Sequence, residues 1–189
     1  ASSGGQDISV GATMAIAGSV ILRMVCGGQV TADTMQTPLI LAVLAGVLAT
    51  MLCGAFNGAL VAYFKIQPMV ATLIMYTAGR SIAAWINNNQ LPIINDLGFK
   101  YAGTFLPGVP VPTPIFITVL VILAFWLILK FTTLGLYTQS VGINANSSRL
   151  NGLDPKLIKL LTYVILGVCV ALAGFIRVSR SGSINYSRI

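Results

Sequence analysis

From residue 39 to residue 64 no side chain carries a charge, and the run is longer than the about 20 mostly apolar residues that cross a bilayer. Such a stretch reads as a spanning helix. Composition extends the constraint to the whole chain. Of its 189 residues, 56% are hydrophobic and 8% charged, whereas a soluble domain draws roughly a quarter from Asp, Glu, Lys and Arg to hold its surface in water. The outer surface must therefore face lipid, and the expected fold class is all-α, a polytopic transmembrane helical bundle.

The same scarcity removes functions. There is no His and no Glu, and the four acids Asp7, Asp33, Asp96 and Asp154 lie far apart, so imidazole chemistry and paired glutamates are out of reach. We expect no enzyme, no cofactor and no metal site. Lys and Arg outnumber Asp and Glu by 11 to 4, but they are scattered between apolar runs instead of forming a stripe with aromatics between them. Nucleic acid is therefore not an expected partner, and basic loops flanking membrane spans account for the charge. Cys26, Cys53 and Cys169 show no metal or redox spacing and read as small apolar fillers.

Five uncharged or nearly uncharged stretches are candidate spans. Residues 8–22 are short and closed by Arg23, which suggests a partial or broken span, and residues 39–64 are the clearest. Gly54 and Gly58 give that second stretch a GxxxG face, expected to pack against another helix of the same subunit. Residues 69–86 carry Arg80 near the far end, where it can snorkel beside Trp85. The connection 87–113 is too rich in proline for a regular helix, and residues 114–129 and 160–176 complete the set. Placing the loop 130–159 in the cytoplasm puts Lys65, Lys130, Arg149, Lys156 and Lys159 on one face, as the positive-inside bias prefers. Arg177, Arg180 and Arg188 then fall on the opposite side, against that bias.

Within the loop, Asn144 or Asn146 suits the cap of a short helix, Arg149 its last turn and Gly152 the left-handed residue that ends it. Asp154 and Pro155 then suit the cap and first turn of the next span. Spacing alone leaves open whether this is an ordinary connection or a device that passes a push from a soluble partner into the membrane.

Five stretches carry a resemblance, in order along nearly the whole chain: GGQDISVGATMAIAG from Gly4, KIQPMVATLIMYTAGR from Lys65, VPTPIFI from Val111, TTLGLYTQSVGINANSSRLNGL from Thr132 and LTYVILGVCVALAGFI from Leu161. Together they resemble the permease subunits of bacterial ABC importers for ribose, galactofuranose and related monosaccharides. Asp7, Ser9 and Gly11 match the Asp, Ser and Gly of a GGIDLSVG-like motif, with Gln6 in place of an apolar residue. Asp7 and Ser9 are thus candidates to line the sugar path, although Asp7 equally suits the cap of the first helix. Gln67 and Thr72 fall in an IQPFIATL-like segment and are further path candidates. Gly142, Ile143, Asn144, Ser147, Ser148, Arg149 and Gly152 fall in the loop that docks on the ATPase in that group, with Ser147 and Ser148 where alanines are common.

The resemblance implies a single transmembrane permease domain over 1–189 with a cytoplasmic coupling loop at 130–159. It also implies four partners: an ABC ATPase subunit, a second permease subunit (identical or different), a periplasmic or lipoprotein sugar-binding protein, and the lipid bilayer. The location implied is the bacterial inner (cytoplasmic) membrane. Permeases of the group run to roughly ten bilayer-length spans, so this chain reads as a fragment lacking both ends. No GxxxxGK[ST] phosphate loop is present, so a partner would hydrolyse ATP. The rival readings are a carrier driven by an ion gradient, which commonly keeps acids or His in mid-membrane, and an ABC permease for branched-chain amino acids.

Overall fold

A computed structural model describes residues 6–105 and 112–184, except the side chains of residues 145 and 146. Among the described residues eight helices follow one another: α1 (Val10–Val25), α2 (Leu39–Ala62), α3 (Pro68–Ile86), α4 (Leu97–Tyr101), α5 (Thr113–Phe131), α6 (Thr133–Ile143), α7 (Ala145–Leu150) and α8 (Pro155–Ser181). Two short strands, β1 (Thr31–Ala32) and β2 (Ile93–Ile94), pair in parallel. The all-α membrane fold is as expected. Of the five anticipated spans, α2, α3, α5 and α8 are long and apolar enough to cross a bilayer, and α1 is the shorter one.

Helix α1 is the shortest of the five and largely enclosed by the others. Its 16 residues extend about 24 Å at 1.5 Å each, and ten of them are buried between α2, α3 and α8. Small residues make this crowding possible. A Cβ on Gly54 would lie 2.4 Å from the Tyr163 carbonyl oxygen, and one on Gly167 would lie 2.6 Å from that of Thr50, so α2 and α8 touch backbone to backbone. The GxxxG face therefore packs within the subunit, since Gly58 also rests on Leu160. Gly46 seats Ile21 of α1 against α2, and Gly79 of α3 receives Ala12 and Ile16. These contacts make α2 antiparallel to α1 and α8, with α3 parallel to α1.

The bundle consequently has two ends. At one, called here the loop face, lie the α2–α3 turn, α7 and the start of α8. At the other, β1 and β2 pair Thr31 with Ile93 and Ala32 with Ile94, and α4 clasps the end of α8. Asp96 caps α4 by accepting from the Phe99 N–H at 3.2 Å. Phe99 is fully buried, edge-on to Phe175 at 6.1 Å, and its carbonyl accepts from Ser179 Oγ at 2.5 Å. The proline-rich connection thus holds a five-residue helix and a two-residue strand, while its residues 106–111 lie outside the described residues. Helix α8 is longer than its apolar run of 160–176: it starts at Pro155, after the Asp154 cap, and carries Arg177 and Arg180 inside its last turns.

Helix α6 arises from sequence that has no long apolar run and was expected to be loop. At the corner after α5, Thr132 is extended (φ −110°, ψ 145°), and α6 folds back so closely that a Cβ on Gly135 would meet the Leu129 carbonyl oxygen at 2.1 Å. Only glycine fits there.

Candidate functional site

The start of α1 gathers polar groups from four segments. One oxygen of Asp7, Oδ1, accepts from both the N–H and the Oγ of Ser9, each at 2.7 Å. Ser9 Oγ in turn accepts from Asn57 Nδ2 of α2 at 3.0 Å, and the Ile8 N–H donates to Thr72 Oγ1 of α3 at 3.2 Å. Ser9, Asn57 and Thr72 are buried, whereas Asp7 is half-buried. The N-cap position of α1 is Ser9 and not Asp7, and it carries no side-chain cap bond; Asp7 instead closes a turn onto Ser9, with its negative charge near the positive end of the α1 dipole. Its second carboxylate oxygen takes no hydrogen bond from the described residues.

Two members of this cluster were not anticipated. Asn57 Oδ1 and the Tyr163 hydroxyl of α8 are both buried without a partner among the described residues, and Tyr163 packs on Gly58, the residue after Asn57. The signal was present in the sequence: Asn57 interrupts an otherwise apolar span, where a polar side chain is rarely idle. Of the four path candidates, Asp7, Ser9 and Thr72 come together. Gln67 does not, standing exposed at the start of α3 on the loop face.

At that face the short helix α7 forms as its caps dictate. Asn144 Oδ1 accepts from the Ser147 N–H at 3.1 Å, and the Asn144 carbonyl accepts from the Ser148 N–H at 3.1 Å and from Ser148 Oγ at 2.9 Å. Gly152, with φ +81°, ends the turn after the Leu153 N–H bonds the Ser148 carbonyl at 3.1 Å. Asp154 then caps α8, accepting from the Lys156 N–H at 3.0 Å. Ser148 is buried, whereas Gly142, Asn144, Ser147, Arg149 and Gly152 are exposed. Ile143, the last residue of α6, and Leu150, the last of α7, are 88% and 89% exposed.

Between α7, the start of α8 and the α2–α3 turn lies a cleft of about 700 Å³, lined by Lys65, Arg149, Lys156 and Lys159 with Asp154 as its one acid, and with Gln67 at its side. Four of the five basic residues that the charge argument placed on one face thus meet around one opening, while Lys130, on α5, stands apart from it. Lys65 holds a left-handed backbone, φ +55°, where glycine would sit without strain.

Comparison with known proteins gives these features a setting. The chain is 41% identical over 175 residues to the galactofuranose transporter permease protein of Escherichia coli, matching 92% of this chain and 48% of that protein. It is 35% identical over 185 residues to the ribose import permease protein of Escherichia coli, covering 95% of the chain and 54% of the relative. Against the fructose import permease protein of Bifidobacterium longum, identity is 33% over 178 residues, with 92% and 47% covered. The chain thus spans about half the length of the curated relatives it matches. No solved structure matches it. A family model described as "branched-chain amino acid transport system / permease component" matches residues 1–189. With that match and four helices fit to cross a bilayer, the chain belongs to this family of multi-pass membrane permeases.

Proposed function

We propose that the protein is the permease subunit of an ATP-driven ABC importer of the bacterial inner membrane, forming the path of a monosaccharide and moving it without chemical change. The observation that carries this reading is α7: a helix capped at both ends, with Ile143 and Leu150 exposed, joined through Gly152 and the Asp154 cap to a membrane-spanning helix. It has the build of a docking element for a soluble ATPase, and residues 130–159 then form the cytoplasmic coupling loop. A second permease subunit completes the path, and an external sugar-binding protein delivers the solute. The names of the relatives, galactofuranose, ribose and fructose permeases, support sugar as the cargo. Asp7, whose other oxygen is held by Ser9, offers the path its second carboxylate oxygen, while Gln67 stands at the loop-face end.

The family description favours one second reading, a branched-chain amino acid as cargo. Competition of uptake by ribose or galactose against leucine separates the two. Coupling is tested with Gly152→Val in the full-length protein together with its ATPase. A β-branched residue is disfavoured by about 1–2 kcal/mol in the left-handed conformation, and a Cβ there meets no neighbour, so the damage is confined to the loop. The expected outcome is normal accumulation in the membrane with loss of sugar uptake and of sugar-stimulated ATP hydrolysis. Unchanged uptake and stimulation would refute the coupling role.

A further inference from the structure

We propose that the loop-face cleft binds the anionic phosphodiester headgroup of a membrane phospholipid such as phosphatidylglycerol. Four cations, Lys65, Arg149, Lys156 and Lys159, line it against the single acid Asp154, a local excess of three positive charges. Asp154 is already committed to the Lys156 N–H at the head of α8. Among the described residues none of the four cations has an ion-pair partner. Like charges gathered around about 700 Å³ repel one another, and a bound anion relieves that repulsion.

The position of the cleft selects the source of the anion. Lys65 follows the end of α2, and Lys156 and Lys159 occupy the first turns of α8, so the charges stand where two spans leave the bilayer. Basic pockets between spans at this level suit lipid headgroups. Tyr63 and Phe64, 53% and 72% exposed beside it, supply the aromatic fringe of a membrane boundary, and the Lys156 ammonium lies 5.7 Å from the centre of the Tyr63 ring. Backbone strain adds an independent sign. A lysine kept at φ +55°, where glycine would relax the turn, is being held for its side chain.

The test uses the full-length permease in nanodiscs without its ATPase, with retained lipid read by native mass spectrometry. Phosphatidylglycerol is expected to be retained over phosphatidylcholine, and each of Lys65→Gln, Arg149→Gln, Lys156→Gln and Lys159→Gln should weaken retention about fivefold. Lys130→Gln, on α5 and away from the cleft, should change nothing. Lys65→Gly guards against misfolding as an explanation, because it relaxes the turn while removing the cation. Thermal stability should hold or rise as lipid retention falls. Equal retention of the two lipids, wild-type retention by the fourfold Gln variant, or binding of free glycerol phosphate as tight as that of the lipid would each overturn the proposal.

Discussion

Helices α2 and α5 are equally apolar, yet they live in different surroundings. Helix α2 is seamed to α8 and α1 through Gly46, Gly54 and Gly58, and buries the polar Thr50 and Asn57. Helix α5 has no glycine, a single alanine in Ala124, and no buried residue; it packs against α6. Apolarity brings a helix into the bilayer but does not decide what it touches there, because lipid tails are as apolar as leucine. Small residues decide it, since they let backbones approach and dispersion contacts accumulate.

The sharpest way to break this contrast is to thicken both helices. Gly54→Leu drives a side chain into the Tyr163 carbonyl and should cost about 1–3 kcal/mol or more, visible as loss of monodisperse protein in size-exclusion chromatography. Ala124→Leu on α5 should leave the profile unchanged; equal damage from the two would dissolve the distinction. A smaller effect is expected from Asn57→Ala, which removes the hydrogen bond to Ser9 Oγ between α2 and α1. Interhelical bonds of this kind contribute about 0.6 kcal/mol on average and up to about 1.7, so a modest fall in unfolding midpoint should appear in detergent titration. The smallest change is predicted for Leu120→Ala on α5, 68% exposed, whose effect should stay within about 0.5 kcal/mol in the same titration. A larger loss would reveal a packing partner for α5.

Much of the bundle was legible because its determinants are local. The uncharged runs mark α2, α3, α5 and α8, and Asn144, Gly152, Asp154 and Pro155 punctuate the loop at the positions the structure shows. The shortness of α1 was also readable from Arg23 and the polar residues before Ile8. What stayed hidden depends on distant parts of the chain. The Asp7–Ser9–Asn57 chain joins residues 48 apart, and nothing near Asn57 announces Ser9 as its acceptor. Gln67 and Thr72 share one short motif, yet the start of α3 separates them, leaving one exposed in the cleft and the other buried on α1. Helix α6 escaped notice because no apolar run marks it and its close approach to α5 depends on Gly135 meeting Leu129, which local sequence does not announce.

Helix α8 joins the two ends of the molecule in one piece. Its 27 residues extend about 40 Å, from the Asp154 cap beside α7 to Ser179, which holds the Phe99 carbonyl, and proline occurs only in its first turn. A rod of that kind has no joint in which to lose a displacement. If α7 is tilted at one surface, the movement has to reappear at the other, where the seals available to absorb it are the Ser179–Phe99 bond and the bridge between Ile93 and Ser183.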